Sequence, residues 1–193
     1  MRKIIFSFTC LLFANYCLAQ KELMQMDESN KYVYYKIVDK PGLSIDTLYQ
    51  RAIYAADKLG LQYENVESDA VHSVFGKDKL IVYSGSSIMR KASGEIAYKL
   101  DMETKDSKYR YKIYDFVFTP YKRDRFNNMV AEPGIFIPIE ELASKYGKKD
   151  ADAYLDQLGL FCKTTGDKIK VYIDKAQVIK KLETTKKVDT DKW

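Results

Sequence analysis

The run Gly94–Pro120, GEIAYKLDMETKDSKYRYKIYDFVFTP, constrains this chain more than any other stretch. In its first arm Ile96, Tyr98, Leu100 and Met102 alternate with Glu95, Lys99, Asp101 and Glu103. A period of two with apolar and charged residues on opposite sides describes a half-buried strand. Thr104–Lys108 is polar and reads as a turn, so the run predicts a long antiparallel hairpin at the centre of a sheet. The second arm is inconsistent. Tyr111 and Ile113 have one parity, whereas Tyr114, Phe116 and Phe118 have the other. A one-residue shift moves every side chain to the opposite face. Either a β-bulge near Tyr114–Asp115 switches faces, or the arm is buried on both sides with Tyr109 and Tyr111 turned away from the helices.

The elements flanking the hairpin supply helices to cover it. Lys31–Asp39 is rich in β-branched and aromatic residues and predicts a strand, with Val33, Tyr35 and Ile37 sharing a face. Pro41-Gly42 ends it in a turn. A helix follows: Ser44 suits the N-cap, Asp46 the first turn, Lys58 the last turn and Gly60 the left-handed position beyond. Its apolar stripe is Ile45, Leu48, Ala52, Ala55 and Leu59. Leu61–Asp69 reads as a connector or an extended segment. Val71–Phe75 and Leu80–Ser84 read as short strands joined by a turn at Gly76–Lys79, and Tyr121–Gly134 as a loop. Pro138 then opens a helix over Ile139–Tyr146. Beyond it Leu155, Leu158, Cys162, Thr165, Ile169, Tyr172, Ala176 and Ile179 recur at spacings of three and four. That is a packed helical stripe, either one long bent helix or two broken near Gly166.

The order β-α-β-β-β-β-α, with antiparallel strands in a run, predicts an α+β fold with helices on one face of the sheet. The expected layout is a signal peptide at 1–19, an α+β domain at 31–147, a helical extension at 148–185 packing on it, and a flexible tail at 186–193. Arg2-Lys3, the short apolar run Ile4–Tyr16, and small side chains at Cys17 and Ala19 predict secretory cleavage before Gln20. Acylation at Cys17 is disfavoured by Tyr16 beside it. The expected location is therefore periplasmic or secreted, with no membrane-spanning segment.

Cleavage also bears on chemistry. Of 32 Lys and Arg it removes Arg2 and Lys3, leaving 30 against 27 acidic residues, a charge of +3 in place of +5. That is too mild to imply a polyanion, and no nucleic-acid partner is expected. Cys162 remains alone, so neither an internal disulfide nor a cysteine metal site is available. It lies on the apolar stripe and reads as a small buried hydrophobe. His72 is the only histidine and lies in an expected strand with Val71 and Val74. No metal-ligand spacing, phosphate loop or nucleophile elbow is spelled. An enzyme, a cofactor and a metal are not expected, and a hydrolase would need His72 or a carboxylate pair in a deep pocket. The sixteen tyrosines fit a β-rich protein first and a stacking surface second. Tyr109, Arg110, Tyr111 and Lys112 are the candidate binding residues, on an exposed sheet face, for a protein, glycan or other small-molecule ligand. Lys122, Arg123 and Arg125, interrupted by Asp124, read as solvated surface. The alternative is an assembly protein that oligomerises through the C-terminal stripe.

The stretches Tyr98–Asp106, Lys108–Tyr111, Ile113 and Asp115-Phe116 resemble a family of secreted bacterial domains of unknown function with a TATA-binding-protein-like fold. The resemblance takes in the first strand, the Pro41-Gly42 turn, the helix at 44–59 and the strands at 71–84, about Val33 to Tyr146. It implies one curved antiparallel sheet backed by helices. It implies no activity and no DNA binding, since a fold does not determine function.

Overall fold

The helix announced by Ser44 forms as its residues dictate. In the computed structural model, which describes residues 23–68, 71–85 and 89–175, α1 spans Ile45–Leu59. The Ser44 hydroxyl accepts from Thr47 N, and Gly60 closes the helix at φ 72°. Leu48, Ala52 and Ala55 are buried as the stripe predicts, together with Tyr49 and Ala56. The expected signal peptide and tail lie outside the described residues, as do Ala176 and Ile179 of the stripe.

Eight strands form one sheet: β1 Gln25–Met26, β2 Tyr32–Asp39, β3 Gln62–Glu67, β4 His72–Ser84, β5 Lys91–Lys105, β6 Lys108–Arg123, β7 Met129–Ala131 and β8 Ile137–Pro138. The order is β1-β2-β6-β5-β4-β3, with β7 and β8 also paired to β6. A 3₁₀ turn at Ile139–Glu141 leads into α2, Leu142–Tyr146, and then α3, Lys148–Lys175. The fold is α+β and antiparallel. The run β2-α1-β3-β4-β5-β6 follows the predicted β-α-β-β-β-β order, but β1 precedes it, β7 and β8 come before the next helix, and the strands expected at 71–75 and 80–84 are one strand.

Three local expectations are corrected. Gly76–Lys79 is not a turn, because β4 runs through it and β3 is its hairpin partner, with Tyr63 opposite Gly76. The reversal lies earlier, where Ser68 N donates to the Val71 carbonyl. Gly76 lets Leu61 pack close: a Cβ there would stand 3.2 Å from Leu61 Cδ1. Tyr121–Gly134 is not a plain loop, since Tyr121–Arg123 pair with Met129–Ala131. Finally, the first turn of the predicted Ile139 helix is 3₁₀. Of the two readings of the C-terminal stripe, a single uninterrupted helix is the one that forms, running through both Gly159 and Gly166.

The hairpin is longer than its alternation suggested, and its turn is Asp106-Ser107, with Ser107 at φ 60°. Along β6 the large buried side chains are Tyr109, Tyr111 and Ile113, then Phe116 and Phe118. The parity changes at Tyr114–Asp115, and Asp115 sits at φ 57°. This is the bulge reading, and it keeps both apolar sets inside.

The chain divides into two compact units. Among the described residues, one consists of 23–34, 79–85, 89–98 and Tyr114–Thr164. Within it the Phe118 ring stacks on Tyr154 at 5.2 Å and meets Tyr146 edge-on at 5.5 Å, and Tyr98 lies 5.0 Å from Phe161. The Gln157 amide both donates to and accepts from the Tyr83 backbone, at 2.9 and 3.0 Å, which replaces a strand partner at that point on β4. The other unit consists of Tyr35–Asp78, Lys99–Ile113 and the residues from Thr165 on. Within it Arg51 donates to the Ile173 carbonyl at 3.1 Å, and Lys40 pairs with Asp174. Leu155, Leu158, Cys162, Ile169 and Ile173 of α3 are all buried.

Candidate functional site

In the second unit the hairpin tip is fixed before any side chain is considered. Lys40 N donates to the Ser107 carbonyl at 2.7 Å, and Ser107 N donates to the Leu43 carbonyl at 2.9 Å. Asp106 Oδ1 accepts from Ile45 N at 2.9 Å. The turn is thereby tied to the segment that starts α1, and the strand ends beside it are held in register.

Alternation then sorts the side chains. Tyr109 and Tyr111 are 1% and 0% exposed, and their rings stack at 6.4 Å. They are core residues. The expectation that they display a stacking surface is corrected: at the bulge the apolar parity changes, and before it the odd positions are interior. Arg110 and Lys112 have the other parity. Arg110 Nη2 donates to Glu103 Oε2 at 2.5 Å. That hydrogen bond, and one with Tyr35, raise the pKa of the guanidinium. Burial and the Glu103 charge raise the Asp101 carboxyl, with Lys112 and Arg110 acting in the opposite sense. Cross-strand opposite charges of this kind stabilise a sheet face modestly.

An open groove runs beside this pair, lined by Tyr35, Ile37, Glu103, Lys105, Lys108, Tyr109 and Arg110. Ile37 is 58% exposed. The groove brings three cations together with one carboxylate, two tyrosines and an isoleucine. Of the predicted set it takes Arg110 and the buried Tyr109, and leaves out Tyr111 and Lys112. Sequence reasoning missed Tyr35, Ile37 and Glu103. Their parities were legible, but the adjacency of β2 to β6 was not.

His72 packs its ring edge-on against Tyr49 at 5.0 Å, with Nδ1 3.8 Å from Asp46 Oδ1. Cys162 is fully buried, and burial pushes its thiol up. Among the described residues no group of three or more His, Cys, Asp or Glu comes together. In the first unit a second cleft is lined by Tyr83, Arg90, Lys149, Asp150, Tyr154 and Gln157, with the Arg90 guanidinium 4.7 Å from the Tyr83 ring centre.

Residues 34–119 match the profile of a family described as a domain of unknown function (DUF4468) with TBP-like fold. Two solved structures are similar. A TBP-like protein from Parabacteroides distasonis aligns with a TM-score of 0.55 and 15% identity, over 79% of this chain and 98% of its own. A DUF4468 family protein from Bacteroides ovatus aligns with a TM-score of 0.52 and 13% identity, over 81% and 93%. At these identities the likeness is one of fold. No match was found among the curated proteins.

Proposed function

With residues 34–119 identified as a DUF4468 domain of TBP-like fold, we propose that the protein is a non-catalytic binding module of the cell envelope or its surroundings, and that its ligand lies in the Tyr35–Arg110 groove. The observation that carries this reading is the exposed Ile37 beside a guanidinium held in place by Glu103 and Tyr35. Lys105, Lys108 and Arg110 outweigh Glu103 and favour an anionic group, while Tyr35 and Ile37 offer contact to an apolar or planar part. An extended acidic peptide or an acidic glycan has both features. The leader-like sequence at 1–19 supports secretion.

The test is an NMR chemical-shift titration with a panel of acidic peptides that each contain one aromatic residue. Amide shifts are expected at Tyr35, Ile37, Lys108 and Arg110, and Arg110→Ala should weaken binding about tenfold, the loss of a charge-assisted contact. Saturable binding that is unchanged by Arg110→Ala and Ile37→Ser would overturn the assignment. N-terminal sequencing of the exported protein should begin at Gln20. The assembly alternative loses its surface within the described residues, because α3 buries its stripe in its own chain as far as Ile173.

A further inference from the structure

The β6–β7 hairpin offers a second surface, independent of the groove. Its closing loop is locked by Asp124, whose Oδ1 accepts from Phe126 N and Asn128 N, each at 2.8 Å. Asp124 N donates to the Asn128 carbonyl at 2.9 Å, which closes the strand ends. The loop therefore does not depend on side-chain burial for its shape, and it holds Phe126 outward at 70% exposure. Met129 and Val130 of β7 are also large apolar side chains left in solvent.

The charges around Phe126 are arranged for one kind of partner. Backbone and side-chain donors of Asn128 hold the Asp124 carboxyl below its usual range, so it stays ionised within the loop, and Lys122, Arg123 and Arg125 outnumber Asp124 and Glu132 by one. Arg123 contacts the neutral Asn127 side chain. The Arg125 guanidinium lies 4.8 Å from the Phe126 ring centre. Lys122 meets Glu132 only at 3.5 Å. An exposed ring at a loop apex, with cations within a few residues on either side, matches the layered chemistry of an anionic bilayer. Rings and aliphatic side chains settle at the depth of the headgroups and upper acyl chains, and Lys or Arg meet the phosphates just above. A pocket on a protein would have to be apolar at its base and acidic all round its rim.

We propose that the 122–130 hairpin tip docks the protein peripherally on an anionic phospholipid surface, with Phe126 entering the interface and Lys122, Arg123 and Arg125 on the headgroups. The contact is small, so it is weak and reversible on its own. The test uses the full chain and vesicles of phosphatidylcholine with or without phosphatidylglycerol. Sedimentation with the anionic vesicles should exceed that with neutral ones by about tenfold or more at low salt, and should fall away at high salt. Phe126→Ala and the pair Arg123→Gln/Arg125→Gln should each lower binding about fivefold or more with an unchanged thermal melt. A Phe126→Trp variant in a Trp193→Phe background should shift its emission to the blue on anionic vesicles. No blue shift with any vesicle, as for a ring that seats in a protein, overturns the proposal, as does equal binding to neutral vesicles or binding indifferent to Phe126→Ala.

Discussion

At the residue scale the tyrosines divide by what their hydroxyls meet. The Tyr109 ring is core, yet its hydroxyl is buried without a hydrogen-bond partner, and burial pushes its phenol up. Removing the ring and removing the hydroxyl should therefore act in opposite directions. Tyr109→Ala is expected to cost about 3–5 kcal/mol, as for other large aromatic truncations. Tyr109→Phe should be neutral or stabilise by about 1 kcal/mol, since an unpaired buried polar group is a cost that it removes. Chemical denaturation of the two variants measures both.

Tyr121 is the contrasting case. Its hydroxyl donates to Glu95 Oε2 at 2.9 Å, and the same carboxylate oxygen lies 2.9 Å from Lys79 Nζ. Burial, then the Glu95 hydrogen bond, push its pKa up to about 12. The folded value lies above the unfolded one of about 10. Its contribution to stability is thus complete below pH ~10 and is lost as pH rises through ~12. Tyr121→Phe should be less stable than the parent between about pH 7 and about pH 10, and the difference should shrink as pH rises through about 12, as measured by chemical denaturation across that range.

At the element scale the β5–β6 hairpin shows how one small residue sets the approach of two long strands. Phe118 lies over Gly94, and a Cβ at that position would fall 2.6 Å from both Phe118 Cζ and the Thr119 carbonyl oxygen. Two of those atoms belong to a packed ring or to backbone, so the site cannot yield cheaply. Gly94→Ala is expected to destabilise the fold by at least about 1–3 kcal/mol, the usual cost of overpacking. Thermal melting checks the loss, and its rescue by the smaller ring-free Phe118→Leu would assign it to this contact. The bulge at Asp115 belongs to the same element. It leaves both Ile113 and Phe116 buried although they are three residues apart.

At the scale of the whole molecule, α3 is part of the fold rather than an appendage. Tyr154 and Phe161 contact Phe118 and Tyr98 in one unit, and Ile173 receives Arg51 in the other. The matched family profile ends at residue 119, so its limits do not mark where folding ends. A chain ending at Gly147 should lose its cooperative thermal transition and bind a hydrophobic dye. A sharp melt in that chain would show α3 to be dispensable.

Much of this was legible in local sequence. Helix α1 carries its own caps, the β5 arm its own alternation, and α3 its own period, because each is set by residues within a turn or two of one another. Where two local readings competed, long-range contact decided. Gly76–Lys79 has the composition of a turn, but β3 pairs across it and Leu61 fills the space beside Gly76. Tyr109 and Tyr111 could lie on either face until the bulge at Asp115 assigned them to the interior. Arg110 was named from sequence, whereas Tyr35 and Ile37 joined it only through the pairing of β2 with β6. The sequence alone determined the elements and most of their ends, since caps, turns and periodicity act over a few residues. The tertiary structure alone decided strand neighbours, faces and the groove, since these depend on which distant segments exclude water from one another.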